Sequence, residues 1–223
     1  DPTAPTHAGL YGPQVLPERR RIDRRPGRSD LDDPRLTAIV EAALGALFGE
    51  AGGDEAGIAL FALGSLGACD VRAGSDLDIV PVIGDGGDPQ AGVVAVRQLI
   101  DLASRAGVGQ VDARLRGEGG GAPLVQTIGR YRRYFAGRAS LWELVAFTRC
   151  RFVCGRAATG AAFATALPGM LDIDRFRPGL ADRFRGERRR LESLAAGPRD
   201  VKHAPGGLYD IHFIAAGARL LVD

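Results

Sequence analysis

The stretch 58–83, IALFALGSLGACDVRAGSDLDIVPVI, decides the fold of this 223-residue chain. Residues 58–63 form an apolar run of strand length that ends at Gly64, and residues 77–83 form a second run rich in β-branched side chains. Short apolar runs closed by glycine are typical of buried strands. We therefore predict two buried strands, joined by a polar connection whose residues can carry chemistry.

Two aspartates lie at the start of the second predicted strand. Side chains alternate along a strand with a period of two, so Asp76 and Asp78 project from the same face. Two like charges this close repel each other unless a cation lies between them. Mg²⁺ suits such a place because it prefers oxygen ligands and takes one or two carboxylates together with substrate phosphates. The ordinary alternative is an exposed strand end, since an Asp-Leu-Asp tripeptide alone is common.

A third carboxylate, Asp112, lies in the alternating segment 110–115, which predicts a half-buried strand. Asp112 joins the aspartate pair if this strand is a neighbour of the second one. Gly64 and Ser65 follow the first strand. Glycine permits the close backbone approach that a phosphate requires, while backbone N–H groups and the Ser65 hydroxyl supply hydrogen-bond donors. The sequence thus predicts a phosphate seat facing a group of carboxylates.

The whole chain divides into three predicted parts. Residues 1–33 are rich in proline, glycine and arginine, and we interpret them as a flexible basic linker or arm. Residues 34–122 hold the strands and helices predicted around 36–47 and 92–106, which gives an α/β (α+β) catalytic domain with a small mixed sheet. Residues 123–223 are mostly helical in pattern, and we expect a helical domain that closes the cleft.

Composition excludes several classes of protein. Apolar residues make up 45% and charged residues 25%, as in globular proteins, and a formal charge of +2 gives no global field for nucleic acid. No apolar stretch approaches the roughly 20 residues that cross a bilayer, and no secretory signal is evident, so we expect a cytoplasmic protein without membrane partners. The three cysteines should be reduced, with Cys150 and Cys154 on one helix. Because the chain begins at Asp1 without methionine, we expect an excerpt from a longer polypeptide.

The segment GSLGACDVRAGSDLDIV, residues 64–80, resembles the signature of the nucleotidyltransferase superfamily. Within that superfamily, the chain resembles the glutamine synthetase adenylyltransferase (glutamate-ammonia ligase adenylyltransferase) family. Three later segments carry the same resemblance, namely VDARLRGEGGGAPLV (111–125), SLWELVAFTRCRFVCG (140–155) and DVKHAPGGLYDIHF (200–213). The resemblance covers about residues 36–221 and implies a nucleotidyltransferase fold followed by helices.

The resemblance implies a Mg²⁺-dependent adenylyltransferase with ATP as its substrate. Asp76, Asp78 and Asp112 would be the catalytic residues and would hold two Mg²⁺ ions. The implied acceptor is a tyrosine hydroxyl on glutamine synthetase, and a nitrogen-signalling regulatory protein is a further partner to consider. In this family one domain adds AMP and a related domain removes it by phosphorolysis with orthophosphate. Both directions stay open for this chain.

The family also implies a set of nucleotide-binding residues. Arg114 and Arg116 would alternate on the strand of Asp112, where guanidinium groups suit bidentate phosphate recognition. Lys202 ranks lower because a lone lysine in a loop is more often simply solvated. The full predicted set is Gly64, Ser65, Ser75, Arg114, Arg116 and Lys202.

The chain departs from the family pattern at positions outside the three carboxylates. Ser65 stands where the family usually has lysine, and His212 stands where it usually has an acidic residue. Two alternatives therefore remain beside the modification of glutamine synthetase. One is a nucleotidyltransferase that acts on another protein or on a small molecule such as an aminoglycoside. The other is a non-catalytic module that binds nucleotide or a partner.

Overall fold

The computed structural model describes residues 35–118, 121–197 and 199–222. The basic arm predicted for residues 1–33 lies outside these ranges. No helix in the described part of the chain is both long enough and apolar enough to cross a membrane.

A five-stranded mixed sheet forms the centre of the fold. Its strands are β1 (Ile58–Ala62), β2 (Leu77–Ile83), β3 (Val111–Asp112), β4 (Gln126–Thr127) and β5 (Arg151–Gly155). The order is β3-β2-β1-β5, and β4 pairs with the same edge of β2 as β3 does, further along the strand. Strand β1 is antiparallel to β2 and β5, whereas β3 and β4 are parallel to β2. The predicted α/β class with a small mixed sheet is confirmed.

Eight helices surround the sheet within the described ranges. They are α1 (Leu36–Glu50), α2 (Gly64–Gly67), α3 (Pro89–Arg105), α4 (Ile128–Gly137), α5 (Leu141–Phe147), α6 (Ala157–Met170), α7 (Leu180–Glu192) and α8 (Leu208–Val222). Helix α3 starts where Asp88 accepts a hydrogen bond from the Gln90 amide at 2.9 Å and Pro89 takes the first helical position. Both helices predicted in the first half of the chain are confirmed as α1 and α3.

The sheet separates two hydrophobic cores because its side chains alternate. Ile58, Leu60 and Ala62 of β1 pack with α1 and α3 on one face. Ala59 and Phe61 face the opposite way, into an aromatic cluster that α4, α5 and α6 supply. Strand β2 follows the same rule, so Asp78 lies on the face of Val80 and Val82, toward the helical half of the chain.

Two expectations about secondary structure were wrong. Residues 151–155 form a strand paired with β1, so Cys150 and Cys154 do not share a helix, although both are free thiols. A short apolar run cannot be assigned from periodicity alone, and here pairing with a buried strand decides. The strand predicted over 110–115 ends at Asp112. The sheet also extends beyond the predicted boundary at residue 122, since β4 and β5 belong to it.

Candidate active site

The site forms where β2 and β3 lie side by side. Asp78 and Asp112 are register partners in this parallel pair, and the amide of Leu77 donates to the carbonyl of Gln110 at 2.8 Å. Directly paired residues on neighbouring strands point to the same side of a sheet. The structure therefore brings together two of the three predicted carboxylates, from segments 34 residues apart in sequence.

The glycine turn closes against the same carboxylate. The amide of Leu63 donates to the carbonyl of Asp78 at 3.0 Å, and Gly64 then takes a left-handed φ of +54°. A Cβ atom on Gly64 would lie 2.0 Å from Oδ2 of Asp78. Glycine is required at position 64 because of the left-handed φ and because a side chain would clash with Asp78. Helix α2 begins at Gly64, and Ser65, the next residue, is partly exposed.

Negative charge accumulates at Asp78. Burial, followed by the charges of Asp112 and Asp76, raises the pKa of the Asp78 carboxyl to about 7, against the opposing charges of Lys202 and Arg114. Asp76 is exposed, two residues earlier on the chain. A half-buried carboxyl with such a pKa is typical of a functional site.

Asp112 is neutralised locally by its neighbour Arg114. The backbone amide of Arg114 donates to Oδ1 at 2.7 Å, and its Nε donates to Oδ2 at 2.8 Å. Burial alone would raise the pKa of Asp112, but these hydrogen bonds and the guanidinium charge outweigh burial and lower it. The Arg114 side chain itself is 60% exposed, so it can leave without unfolding anything.

The chemistry of these groups fits a divalent cation, since carboxylate oxygens are the ligands that Mg²⁺ prefers. In the described conformation no three His, Cys, Asp or Glu side chains of residues 35–118, 121–197 and 199–222 converge as ligands. Both oxygens of Asp112 are held by Arg114 instead. Metal binding by Asp76, Asp78 and Asp112 therefore stays a prediction. It requires Asp112 to break its hydrogen bonds with the Arg114 side chain so that its oxygens can bind the cation.

Two of the predicted nucleotide-binding residues have structural tasks. Ser75 Oγ accepts from the Arg72 amide at 3.1 Å, which closes the turn before β2. Arg116 is buried, and its guanidinium donates to the carbonyls of Ala113, Ala122 and Pro123. This geometry argues against direct phosphate binding by Arg116. The sequence predicted Arg116 on the strand of Asp112, but that strand ends at Asp112.

Lys202 is the predicted nucleotide-binding residue that comes from the last part of the chain. Its charge acts on Asp78, and its ammonium stands 5.7 Å from the ring centroid of Tyr209. Tyr209 and Arg149 were not among the predicted site residues, although both fall in segments that resemble the family. Those segments were the available signal, because nothing in the local pattern indicates that α5 and α8 pack against each other.

Comparisons with known proteins confirm the family resemblance that the sequence carries. A mixed sheet with paired carboxylates beside a glycine turn is what the sequence predicted for a nucleotidyltransferase-type α/β protein. Residues 35–166 match the family model described as glutamate-ammonia ligase adenylyltransferase. The chain belongs to this family.

Several relatives carry the name bifunctional glutamine synthetase adenylyltransferase/adenylyl-removing enzyme. The protein of Chromobacterium violaceum is 37% identical over 164 residues, which cover 70% of this chain and 18% of that protein. That of Aromatoleum aromaticum is 35% identical over 171 residues, or 72% and 18%. That of Mycobacterium avium is 32% identical over 188 residues, or 83% and 18%. The chain thus spans about a fifth of the length of these relatives.

Proposed function

We propose that this chain is an adenylyltransferase domain that moves AMP between ATP and a tyrosine hydroxyl of glutamine synthetase. The observation that carries the proposal is the register pairing of Asp78 with Asp112 beside Gly64. Family membership supports the choice of glutamine synthetase, since the relatives are named for acting on it.

In this proposal Asp76, Asp78 and Asp112 hold two Mg²⁺ ions. When bound, these ions neutralise the ATP phosphates and lower the pKa of the acceptor hydroxyl. Asp78 is the central ligand, because burial and the charges of both other carboxylates raise its pKa, and a bound cation would offset them. Asp112 releases Arg114, becomes a metal ligand and helps to deprotonate the acceptor hydroxyl.

Arg114 then has a second task. Once released from Asp112, its exposed guanidinium is free to bind phosphate oxygens in a bidentate manner. The acceptor hydroxyl attacks the α-phosphorus in line, and pyrophosphate departs toward the turn of Gly64 and Ser65. Backbone N–H groups at the start of α2 are the donors that receive it.

Both directions of the reaction belong to the proposal. The names of the relatives combine adenylylation and adenylyl removal, and the chain corresponds to one short part of them. In the removing direction orthophosphate attacks the adenylylated tyrosine, so that the tyrosine leaves and ADP forms. The same carboxylates serve either reaction, because both pass through substitution at the same phosphorus atom.

The test uses ATP labelled at the α-phosphate, Mg²⁺ and purified glutamine synthetase. We expect label on glutamine synthetase with the native chain and with Asp101→Asn, an exposed change on α3, but none with Asp78→Asn. A parallel reaction supplies adenylylated glutamine synthetase and orthophosphate and measures ADP. Absence of both activities, with ATP still bound, would favour the non-catalytic module. Label on another acceptor would favour a different substrate.

A further inference from the structure

Arg151 lies beside the glycine turn of the active site, although it belongs to a distant part of the chain. It is a residue of β5, and its register partner is Ala62, the last residue of β1. Leu63 and Gly64 follow Ala62 directly. The pairing of the two strands therefore places Arg151 next to the turn whose glycine contacts Asp78.

The guanidinium of Arg151 binds the carbonyl end of α2. Its Nη2 donates to the carbonyl of Leu66 at 2.8 Å, and its Nε donates to that of Gly67 at 3.2 Å. The same Nη2 group forms an ion pair with Glu41 of α1. One side chain of β5 thus connects α1 and α2, from which it is separated by at least 84 residues of sequence.

Helix α2 depends on such contacts because it is a single turn. Its four residues form too few backbone hydrogen bonds to outweigh the entropy cost of starting a helix. Leu66 anchors it in the core shared with α1 and α3. A Cβ atom on Gly67 would lie 2.4 Å from the carbonyl oxygen of Arg149 and 2.9 Å from that of Ala62, so the backbone fits closely there. Arg151 adds hydrogen bonds at the carbonyl end, where a positive charge also suits the helix dipole.

The charge of Arg151 is already matched by a carboxylate. Its side chain is 31% exposed and that of Glu41 is 25% exposed, so the two groups are largely buried and paired with each other. The guanidinium serves three acceptors at once, which its rigid fork of donors allows and the single ammonium group of a lysine does not. These contacts indicate a role in holding the backbone rather than in binding a phosphate.

We propose that Arg151 is a positioning residue that holds the glycine turn of Gly64 in place against Asp78. This inference rests on the proposed function, in which that turn faces the nucleotide phosphates. Glu41 orients the guanidinium, and loss of the Arg151 side chain leaves two carbonyls of α2 without their donor. The turn then moves relative to the carboxylate, and small displacements of groups that orient a substrate lower the rate steeply.

The experiment compares the native chain with Arg151→Met, Arg151→Lys and Arg175→Met. Arg175 provides the matched control, because it is also half-buried and donates to a backbone carbonyl, that of Ala139 in the helical half. Hydrogen exchange followed by NMR reports how firmly the amides of residues 67–70, which close α2, are held. Steady-state AMP transfer gives kcat and KM for ATP and for glutamine synthetase, and urea denaturation gives the free energy of unfolding.

We expect Arg151→Met to speed the exchange of these amides about tenfold or more relative to those of α3, and to lower kcat/KM for ATP by a similar factor. The KM for glutamine synthetase should stay unchanged, because the displaced turn faces the nucleotide. Arg151→Lys should fall between Arg151→Met and the native chain, since an ammonium group keeps the charge but cannot serve all three acceptors. Arg175→Met should lose stability without either effect.

The outcomes separate this inference from the function on which it rests. If AMP transfer occurs but Arg151→Met and Arg175→Met match in α2 exchange or in kcat/KM for ATP, the positioning role falls and the reaction stands. If the native chain transfers no AMP, the proposed reaction falls and calorimetry with ATP replaces the assay. Weaker ATP binding by Arg151→Met than by Arg175→Met, together with faster exchange in α2, then still supports the positioning role, and equal binding overturns it.

Discussion

Gly64 lies so close to Asp78 that a Cβ atom at position 64 would stand 2.0 Å from Oδ2 of the carboxylate. The same residue has a φ of +54°, in the left-handed region. The turn and the central carboxylate are therefore one structural unit, because the first cannot acquire a side chain without displacing the second. This contact explains why a strand, a glycine and an aspartate must appear together in the sequence.

Gly64→Ala tests this unit. The methyl group must displace the carboxylate of Asp78, the register partner of Asp112, and a left-handed alanine costs about 1–2 kcal/mol. We expect AMP transfer to fall at least about a hundredfold and the free energy of unfolding to drop by roughly that backbone cost. Gly86→Ala is the control, since a Cβ there meets nothing within 4 Å. Equal activity of the two variants would contradict the close contact.

The raised pKa of Asp78 predicts a pH dependence of stability. Its folded pKa is about 7, above the ordinary value of 3.8, so the folded chain holds a proton that the unfolded chain has released. This contribution is complete below pH 4 and is lost as pH rises through 7. In EDTA, Asp78→Asn should therefore melt higher than the native chain at pH 8, with the gap closing toward pH 5.

Metal addition provides the counterpart to that measurement. At pH 8, Mg²⁺ should raise the melting temperature of the native chain because a bound cation stabilises the folded state. The same addition should leave Asp78→Asn nearly unchanged, while Asp101→Asn should respond as the native chain does. A shift of equal size in all three proteins would mean that Mg²⁺ acts elsewhere.

The sequence predicted the centre of the fold well because the relevant signals are local. Residues 58–62 and 77–83 are strands as expected, and the glycine between them sets the turn. The pairing of Asp78 with Asp112 was conditional, since periodicity fixes the face of a residue but not the neighbour of its strand. Strand β5 was missed for the same reason, because only its pairing with β1 distinguishes it from a helix.

Other features of the site depend on contacts between residues that are distant in sequence. The surroundings of Arg116 could not be predicted, because its guanidinium donates to the carbonyls of Ala113, Ala122 and Pro123, and such contacts leave no trace in a pattern of alternating residues. Arg149, in the turn after α5, and Tyr209 of α8 were given no role because they are far apart in sequence and their helices meet only in the folded chain. The burial of Arg116, Arg149 and Tyr209 and the charges around them depend on how the folded chain packs, and the amino-acid composition does not predict this packing.

Arg114 and Arg116 should therefore behave in opposite ways. Arg114→Gln removes an ion pair in which the arginine is 60% exposed and Asp112 is buried, while the backbone amide of residue 114 still donates to Asp112. We expect AMP transfer to fall, and the free energy of unfolding to drop less than in Arg116→Gln. Arg116→Gln leaves buried carbonyls without donors, so the free energy of unfolding should drop by about 1–3 kcal/mol. Urea denaturation and the labelling assay, run on both variants, check this. The reverse assignment of effects would show Arg116 to be the phosphate ligand.

The helical half contains a matched pair of buried tyrosines. Tyr134 donates to the buried carboxylate of Glu143 at 2.6 Å, whereas the hydroxyl of Tyr131 is buried with no partner in the described part of the chain. Removing the Tyr134 hydroxyl deprives the Glu143 carboxylate of a hydrogen-bond donor. Removing the Tyr131 hydroxyl eliminates a buried polar atom that makes no hydrogen bond. We expect Tyr134→Phe to lower the free energy of unfolding by about 1–3 kcal/mol and Tyr131→Phe to leave it unchanged or raise it. Urea denaturation measures both, and a larger loss for Tyr131→Phe than for Tyr134→Phe would refute the hydrogen-bond argument.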